Sequence, residues 1–291
     1  MKSILALSVV AMAVLGGCAP KGERTSPSAT SQPTSDSPFH PTLAAGGESF
    51  VDSGRVVVAG RDAGDAVQVS SLIAASHAGG ERLVIGFSRA DGFPASTLGE
   101  VTVEFLRQTR VIRVHLPAEV VSTAITDNTF TGDYSDRAYV VRSRESAALY
   151  VDLHLRSAAV ARPTVYSAPA LVSIELQRGG STLPPWPSVG ARVVVLAPPR
   201  DGRTTYPIEV EGYARTFEAN VVAELRQDGK IRAKAVTTAA DYVSAWGEYR
   251  LRFTDGPRGP VQLFVGEHSA KDGSAEGVTA DLFVEGSGQN P

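Results

Sequence analysis

One cysteine, Cys18, stands among 291 residues. No intrachain disulfide can brace the fold, and no cluster of thiolates can hold a metal. There is no excess of positive charge either. Lys and Arg number 28 against 31 Asp and Glu, a formal net charge of −3, whereas a nucleic-acid binder would carry a basic patch or stripe. The five histidines, His40, His77, His115, His154 and His268, show neither a His-x-Glu-x-His nor a His-Glu-x-x-His spacing. No Gly-x-Ser-x-Gly elbow presents a nucleophile, and Gly79-Gly80 lacks the Lys-Ser/Thr of a phosphate loop. No metal and no cofactor are expected. Past residue 15, no apolar run is long enough to cross a bilayer as a helix, which takes about 20 residues. What remains is ordinary globular material, 43% hydrophobic, which can form cores without staples.

The start of the chain is distinctive. Lys2 leads into an apolar run from Ile4 to Leu15, followed by Gly16, Gly17 and Cys18. A run of about 12 residues suits the apolar region of a secretory signal. Gly16 and Gly17 break a helix and leave room for a peptidase. Leu15-Gly16-Gly17-Cys18 resembles the lipobox of bacterial lipoproteins. The resemblance implies that residues 1–18 are a signal peptide with the lipobox cysteine, that cleavage falls before Cys18, and that the Cys18 thiol carries diacylglycerol. The protein would then be extracytoplasmic, anchored through lipid to a membrane of the bacterial cell envelope. Each buried methylene contributes about 0.8 kcal/mol, so two or more acyl chains hold stably. In lipoprotein sorting an aspartate after the cysteine favours inner-membrane retention. Ala19 stands there, which leaves export to an outer membrane open. Residues 19–47 are rich in Ser, Thr and Pro and are expected to form a disordered linker spanning on the order of 30 Å.

From about Ser49 the pattern has a period of two. Leu149, Val151, Leu153 and Leu155 share one face of a strand, and Tyr150, Asp152, His154 and Arg156 share the other. Val101 to Phe105 and Ile112 to Leu116 alternate too, and Arg55–Val58, Arg82–Phe87 and Leu171–Leu176 are further strands. Ala66 to Ala75 reads as strand or helix, with the β-branched Val67 and Val69 favouring strand. Pro117-Ala118-Glu119 is placed to open a short helix. Gly179-Gly180 and Leu183-Pro184-Pro185-Trp186-Pro187 mark a boundary, since proline cannot donate to a ladder, and Trp186 is expected to plug the gap between two domains, with an exposed ring for ligand stacking as the other reading. About seven strands follow, with Asp228-Gly229 as a hairpin turn and Trp246 as a core residue. The fold class is all-β: two β-sandwich domains, 48–180 and 191–286, the second immunoglobulin-like, joined by a Pro-rich linker at 181–190.

The second domain resembles the immunoglobulin-like domain of bacterial spore-germination proteins. The likeness rests on Ile208-Glu209-Val210-Glu211-Gly212-Tyr213-Ala214, on Phe217-Glu218-Ala219-Asn220-Val221, on Trp246-Gly247 ahead of Tyr249, Leu251 and Phe253, and on Ser269-Ala270-Lys271-Asp272-Gly273-Ser274. It implies a sandwich on secreted or lipid-anchored envelope proteins, with no catalytic residues. The first domain resembles the AMIN-type module that targets amidases and secretion components to cell wall. That likeness is carried by Glu81 to Phe87, Ala148 to Val151 and Pro169 to Leu176. The family's terminal strand usually bears an arginine and an aspartate, where Ser173 and Glu175 stand here.

The candidate binding face is the polar side of the clearest strand, Tyr150, Asp152, His154 and Arg156. Arg113 and His115 extend it if their strand pairs alongside. Tyr150 would stack on sugar while Arg and Asp hydrogen-bond to it. The same row reads equally as a solvated sheet face. Asp152 and His154 are also the nearest thing to a catalytic pair. Asp127, Asn128, Asp133 and Asp136 crowd one loop and offer oxygens of the kind calcium takes, without an EF-hand spacing, and otherwise read as turn residues. The expected function is a lipid-anchored, non-enzymatic envelope protein that binds peptidoglycan or envelope proteins. The alternatives are a structural accessory subunit of a wall-remodelling or germination-type complex, and an envelope hydrolase.

Overall fold

The computed structural model describes residues 42–286, except for residue 48, residue 59, residues 61–63 and residue 270. The expected signal segment with Cys18, most of the expected linker and His40 lie outside the described residues.

Twelve strands make the first body: β1 (Thr42–Gly46), β2 (Gly54–Val58), β3 (Gln68–His77), β4 (Gly80–Ser88), β5 (Val101–Leu106), β6 (Val111–His115), β7 (Ser122–Thr123), β8 (Asp127–Thr129), β9 (Ser135–Arg142), β10 (Leu149–Leu155), β11 (Ala159–Ser167) and β12 (Leu171–Arg178). Nine make the second: β13 (Ser188–Val189), β14 (Val193–Ala197), β15 (Arg203–Thr204), β16 (Ile208–Ala214), β17 (Asn220–Gln227), β18 (Lys230–Thr238), β19 (Trp246–Phe253), β20 (Gly259–His268) and β21 (Ala275–Val284). The ambiguous stretch after Ala66 is strand. Pro117 to Glu119 forms a turn, not a helix.

One sheet runs β1-β11-β12-β4-β3-β7 and another β15-β21-β20-β17-β18. Between them in the topology lies a ten-stranded sheet, β13-β14-β16-β19-β9-β10-β6-β5-β2, with β8 beside β9. The alternation in the sequence fills two cores. Leu83, Ile85, Val103, Ile112, Val114, Val140, Val151, Leu153 and Ile174 are fully buried in the first. Val193, Val195, Ile208, Val210, Tyr249, Leu251, Phe253, Leu263 and Leu282 fill the second. The Asp228-Gly229 turn joins β17 to β18 with φ of 53° and 70°. A two-residue type I′ hairpin needs positive φ at both positions, and glycine adopts it at little cost.

Three expectations need correction. The last residues of the stretch expected as linker, Thr42–Gly46, pair antiparallel with β11 as an edge strand. Second, the bodies share a sheet. Trp246 and Gly247 of β19 pair in parallel with Val141 and Arg142 of β9, so the middle sheet is built from both. Trp186 does not plug the gap. It is 39% exposed, with the Arg110 guanidinium 3.9 Å above its ring. The buried plug is Trp246, 2% exposed. It belongs to a third cluster with Val111, Tyr139, Val141, Tyr150, Val194, Leu196 and Tyr213. These are the residues whose neighbours along each strand point into the first or second core. The outer faces of the two halves of the middle sheet therefore close on each other.

Candidate functional site

Strands β6 and β10 pair antiparallel, with His115 opposite Tyr150 and Arg113 opposite Asp152. The two polar rows join into one face, as their register requires. That face is not solvated. Tyr150 is 3% exposed, Asp152 0% and His154 2%. Strand β10 is buried along both faces, because the first core lies on one side and the junction with the second body on the other. A sugar cannot stack on Tyr150 in this arrangement, and the candidate binding face is corrected to a buried junction. Only its margins reach water: His115 beside Glu104 at 3.1 Å, and Arg156 bonded to Asp136 and to the carbonyl of Phe130.

Asp152 accepts two hydrogen bonds of 2.8 Å from Arg113 Nε and Nη2, a bidentate arrangement that suits a carboxylate in low dielectric. Glu248 of the second body stands 3.9 Å from Arg113 Nη1, and the Arg113 guanidinium lies 3.9 Å over the Tyr150 ring. Burial opposes the Arg113 charge, and Asp152 outweighs it, so Arg113 titrates above its ordinary value. His154 Nε2 is hydrogen-bonded to the Tyr213 hydroxyl across the junction. Tyr139 packs 5.0 Å from the rings of His154, Tyr213 and Trp246. Burial pushes the Tyr213 and Tyr150 hydroxyls well above their usual titration range.

Burial, followed by the charges of Arg137, Arg110 and Arg113, lowers the His154 pKa from 6.5 to about 3. The ring is neutral in the folded protein and takes a proton more readily when unfolded. The stability it confers is complete above about pH 6.5 and is lost as pH falls from there towards 3. Each unit of pKa is worth about 1.4 kcal/mol, so the loss amounts to several kcal/mol. Urea unfolding at a series of pH values should show it. His154→Gln should remove this part of the acid sensitivity and flatten the curve between pH 6.5 and 4. An unchanged slope would mean that His154 is solvated.

The acidic loop is also accounted for by pairing. Asp127 accepts from Arg137 and, at 3.1 Å, from Trp246 Nε1. Burial pushes its carboxyl up, and those two hydrogen bonds outweigh burial and hold it below the usual range. Asp136 pairs with Arg156. Among the described residues, no group of three or more His, Cys, Asp and Glu side chains is placed to hold a metal ion. Asp152 gives its oxygens to Arg113 rather than to His154. The other described histidines each stand beside a separate glutamate: His77 by Glu175, His115 by Glu104, His268 by Glu224.

A cleft of about 680 Å³ opens beside the junction, lined by Arg144 and Glu145 of the first body and by the outward row of β16 and β19. Arg250 meets Glu211 at 2.9 Å and Arg252 meets Glu209 at 3.1 Å. Pairs this exposed contribute about 0–1 kcal/mol. They make a surface of alternating sign with no nucleophile and no histidine. Sequence reasoning missed Tyr139 and Tyr213 as junction residues. Tyr213 carried a signal, since it shares the outward row of Glu209 and Glu211 yet is the apolar member of that row.

No match to the chain was found among curated proteins or among solved structures. The second body, with β16, the Phe217 turn, the β17–β18 hairpin, β19 and the loop after β20, is an all-β sandwich. Residues 192–274 of it match the family described as the immunoglobulin-like domain of bacterial spore germination.

Proposed function

We propose that this protein is a lipid-anchored, non-enzymatic component of the bacterial cell envelope that binds peptidoglycan or an envelope partner. The observation that carries the non-enzymatic part is the fate of the acid and the histidine that share the outer row of β10. Asp152 is fully buried on Arg113, and His154 is enclosed beside Tyr213. A catalytic histidine must meet a reacting proton at hydrogen-bond distance, and this one is 2% exposed. The match of residues 192–274 to the immunoglobulin-like domain of bacterial spore germination supports the same reading. The first body's AMIN-like residues support a role at the wall, through a surface other than the Tyr150 row. A structural accessory role is the second reading, favoured by the junction that fixes the two bodies to each other.

The anchor is tested at Cys18. Cells expressing the full chain should incorporate labelled palmitate into it and retain it in the membrane fraction. Cys18→Ser should abolish both and leave unprocessed precursor. Palmitate on the Cys18→Ser protein would end the lipoprotein reading. Binding is tested by sedimenting the purified full chain with washed sacculi at physiological salt. Pelleting is expected. If the protein stays in solution, a protein partner replaces peptidoglycan.

A further inference from the structure

A second cleft, of about 380 Å³, opens where Trp246 and Asp127 meet the turn that follows β16. Its size lies within the range of small-ligand sites, about 300–1,000 Å³. Three features set it apart from an ordinary surface hollow. Thr216 lines it, is 0% exposed, and its Oγ1 has no hydrogen-bond partner in the protein. Thr216 also stands at the start of the short 3-10 turn Phe217–Ala219, where a threonine hydroxyl ordinarily caps a backbone N–H, and here it caps none. Leaving a buried hydroxyl unpaired costs about 1–3 kcal/mol.

The second feature is Arg215. Its Nη1 donates to Thr126 Oγ1 at 2.9 Å and its Nη2 to the Val243 carbonyl at 3.2 Å, while its buried Nε donates to nothing. Among the described residues it has no carboxylate partner. The other charges facing the cleft are already committed: Arg192 to Glu267, and Asp127 to Arg137 and Trp246. The cleft is therefore cationic, with donors to spare.

The third feature is aromatic. Phe217 and Tyr242 flank the cleft and are 65% and 41% exposed. Phe217 is held outward by a strained turn, in which Glu218 and Ala219 take φ of 52° and 60°. The Phe217 amide, bonded to Glu267 Oε2, fixes the turn.

Resting on the envelope reading above, we propose that this cleft binds a carboxylated saccharide. The guanidinium of Arg215 takes the carboxylate, Thr216 Oγ1 bonds to a polar group of the ligand, and the sugar ring packs on Phe217 and Tyr242. Guanidinium geometry matches carboxylate, and aromatic faces suit the apolar face of a pyranose. In a bacterial wall the carboxylated amino sugar is N-acetylmuramic acid.

The test is an NMR titration of the purified full chain with N-acetylmuramic acid. N-acetylglucosamine serves as the ring without the carboxylate, lactate as the carboxylate without the ring, and acetyl-dialanine as a peptide carboxylate. N-acetylmuramic acid should bind at least ten-fold more tightly than any of the other three. Thr216→Val keeps the shape and removes the hydroxyl. It should weaken binding several-fold while leaving the thermal midpoint equal or higher, and Tyr242→Ala should weaken it as well. The proposal is overturned if N-acetylmuramic acid does not bind, if Thr216→Val binds it as the wild type does, or if Thr216→Val melts earlier. Tightest binding by acetyl-dialanine overturns it in favour of a peptide ligand. Sedimentation with sacculi separates the two readings: pelleting that Thr216→Val leaves unchanged removes this site and leaves wall binding standing.

Discussion

Trp246→Ala is expected to lower the stability of the described unit by about 3–5 kcal/mol, the usual cost of emptying a large buried aromatic site. The indole is 2% exposed. It meets Tyr139 edge-on at 5.0 Å and Tyr213 edge-on at 6.1 Å, contacts that add to its burial. Its Nε1–H donates to Asp127 at 3.1 Å, so truncation also strips a partly buried carboxylate of a donor. Because Trp246 starts the only pairing of β19 with β9, the loss falls on the seam between the two bodies rather than on either core. Urea unfolding followed separately by tyrosine fluorescence and far-ultraviolet circular dichroism should show a lower midpoint. Trp186→Ala makes the control. That ring is 39% exposed and mainly stacks on Arg110, so its removal should cost about 1 kcal/mol. Equal midpoints for Trp246→Ala and wild type would mean that the junction does not form in solution.

The second large effect belongs to the buried ion pair. Asp152→Ala leaves Arg113, whose side chain is 15% exposed, without its bidentate partner. Removing one member of a buried pair costs about 3–5 kcal/mol, because the survivor is left charged and unpaired. Glu248 at 3.9 Å from Arg113 is a weak substitute, being itself 27% exposed. Replacing both members is a different experiment. Arg113→Met with Asp152→Leu restores volume and removes both charges, and such exchanges are often neutral or stabilising. The double variant should therefore unfold within about 1 kcal/mol of wild type, or above it. If it is as weak as Asp152→Ala, the pair contributes favourably in its own right. Denaturant midpoints for wild type, Asp152→Ala and the double variant decide this.

Much of the fold could be read from the chain, because a two-residue period reports which residues share a face. The period places Leu149, Val151, Leu153 and Leu155 together, and the first core contains all four. Asp228-Gly229 specifies its own turn. The joining of the Tyr150 and Arg113 rows also follows from ordinary antiparallel pairing. The period does not say what covers the second face. Antiparallel sheets commonly leave that face in water, and Tyr150, Asp152, His154 and Arg156 are polar enough to live there. The covering residues, Tyr213 and Trp246, arrive from strands far along the sequence. Nothing local to β10 announces them. The Trp186 expectation failed for a related reason. Its proline-rich setting marks a boundary, but the boundary segment runs over the surface while the seam is sealed from β19. Arg215 and Thr216 carry no sequence signal at all, since their interest lies in partners that are missing in space.

The pairing of Val141 with Trp246 joins residues about a hundred positions apart, and contacts of that range form late. While the chain is being made, β9 and β10 are complete long before β19 exists. During that interval the outward face of the first body lies open to water. A face of leucine and valine would associate with whatever came near it. This one carries the Arg113–Asp152 pair and the hydroxyls of Tyr139 and Tyr150, groups that water solvates well. The polar residues that look misplaced inside the finished molecule interrupt Val111, Val141 and Leu106 on that face, so that it presents no continuous apolar patch before the second half docks.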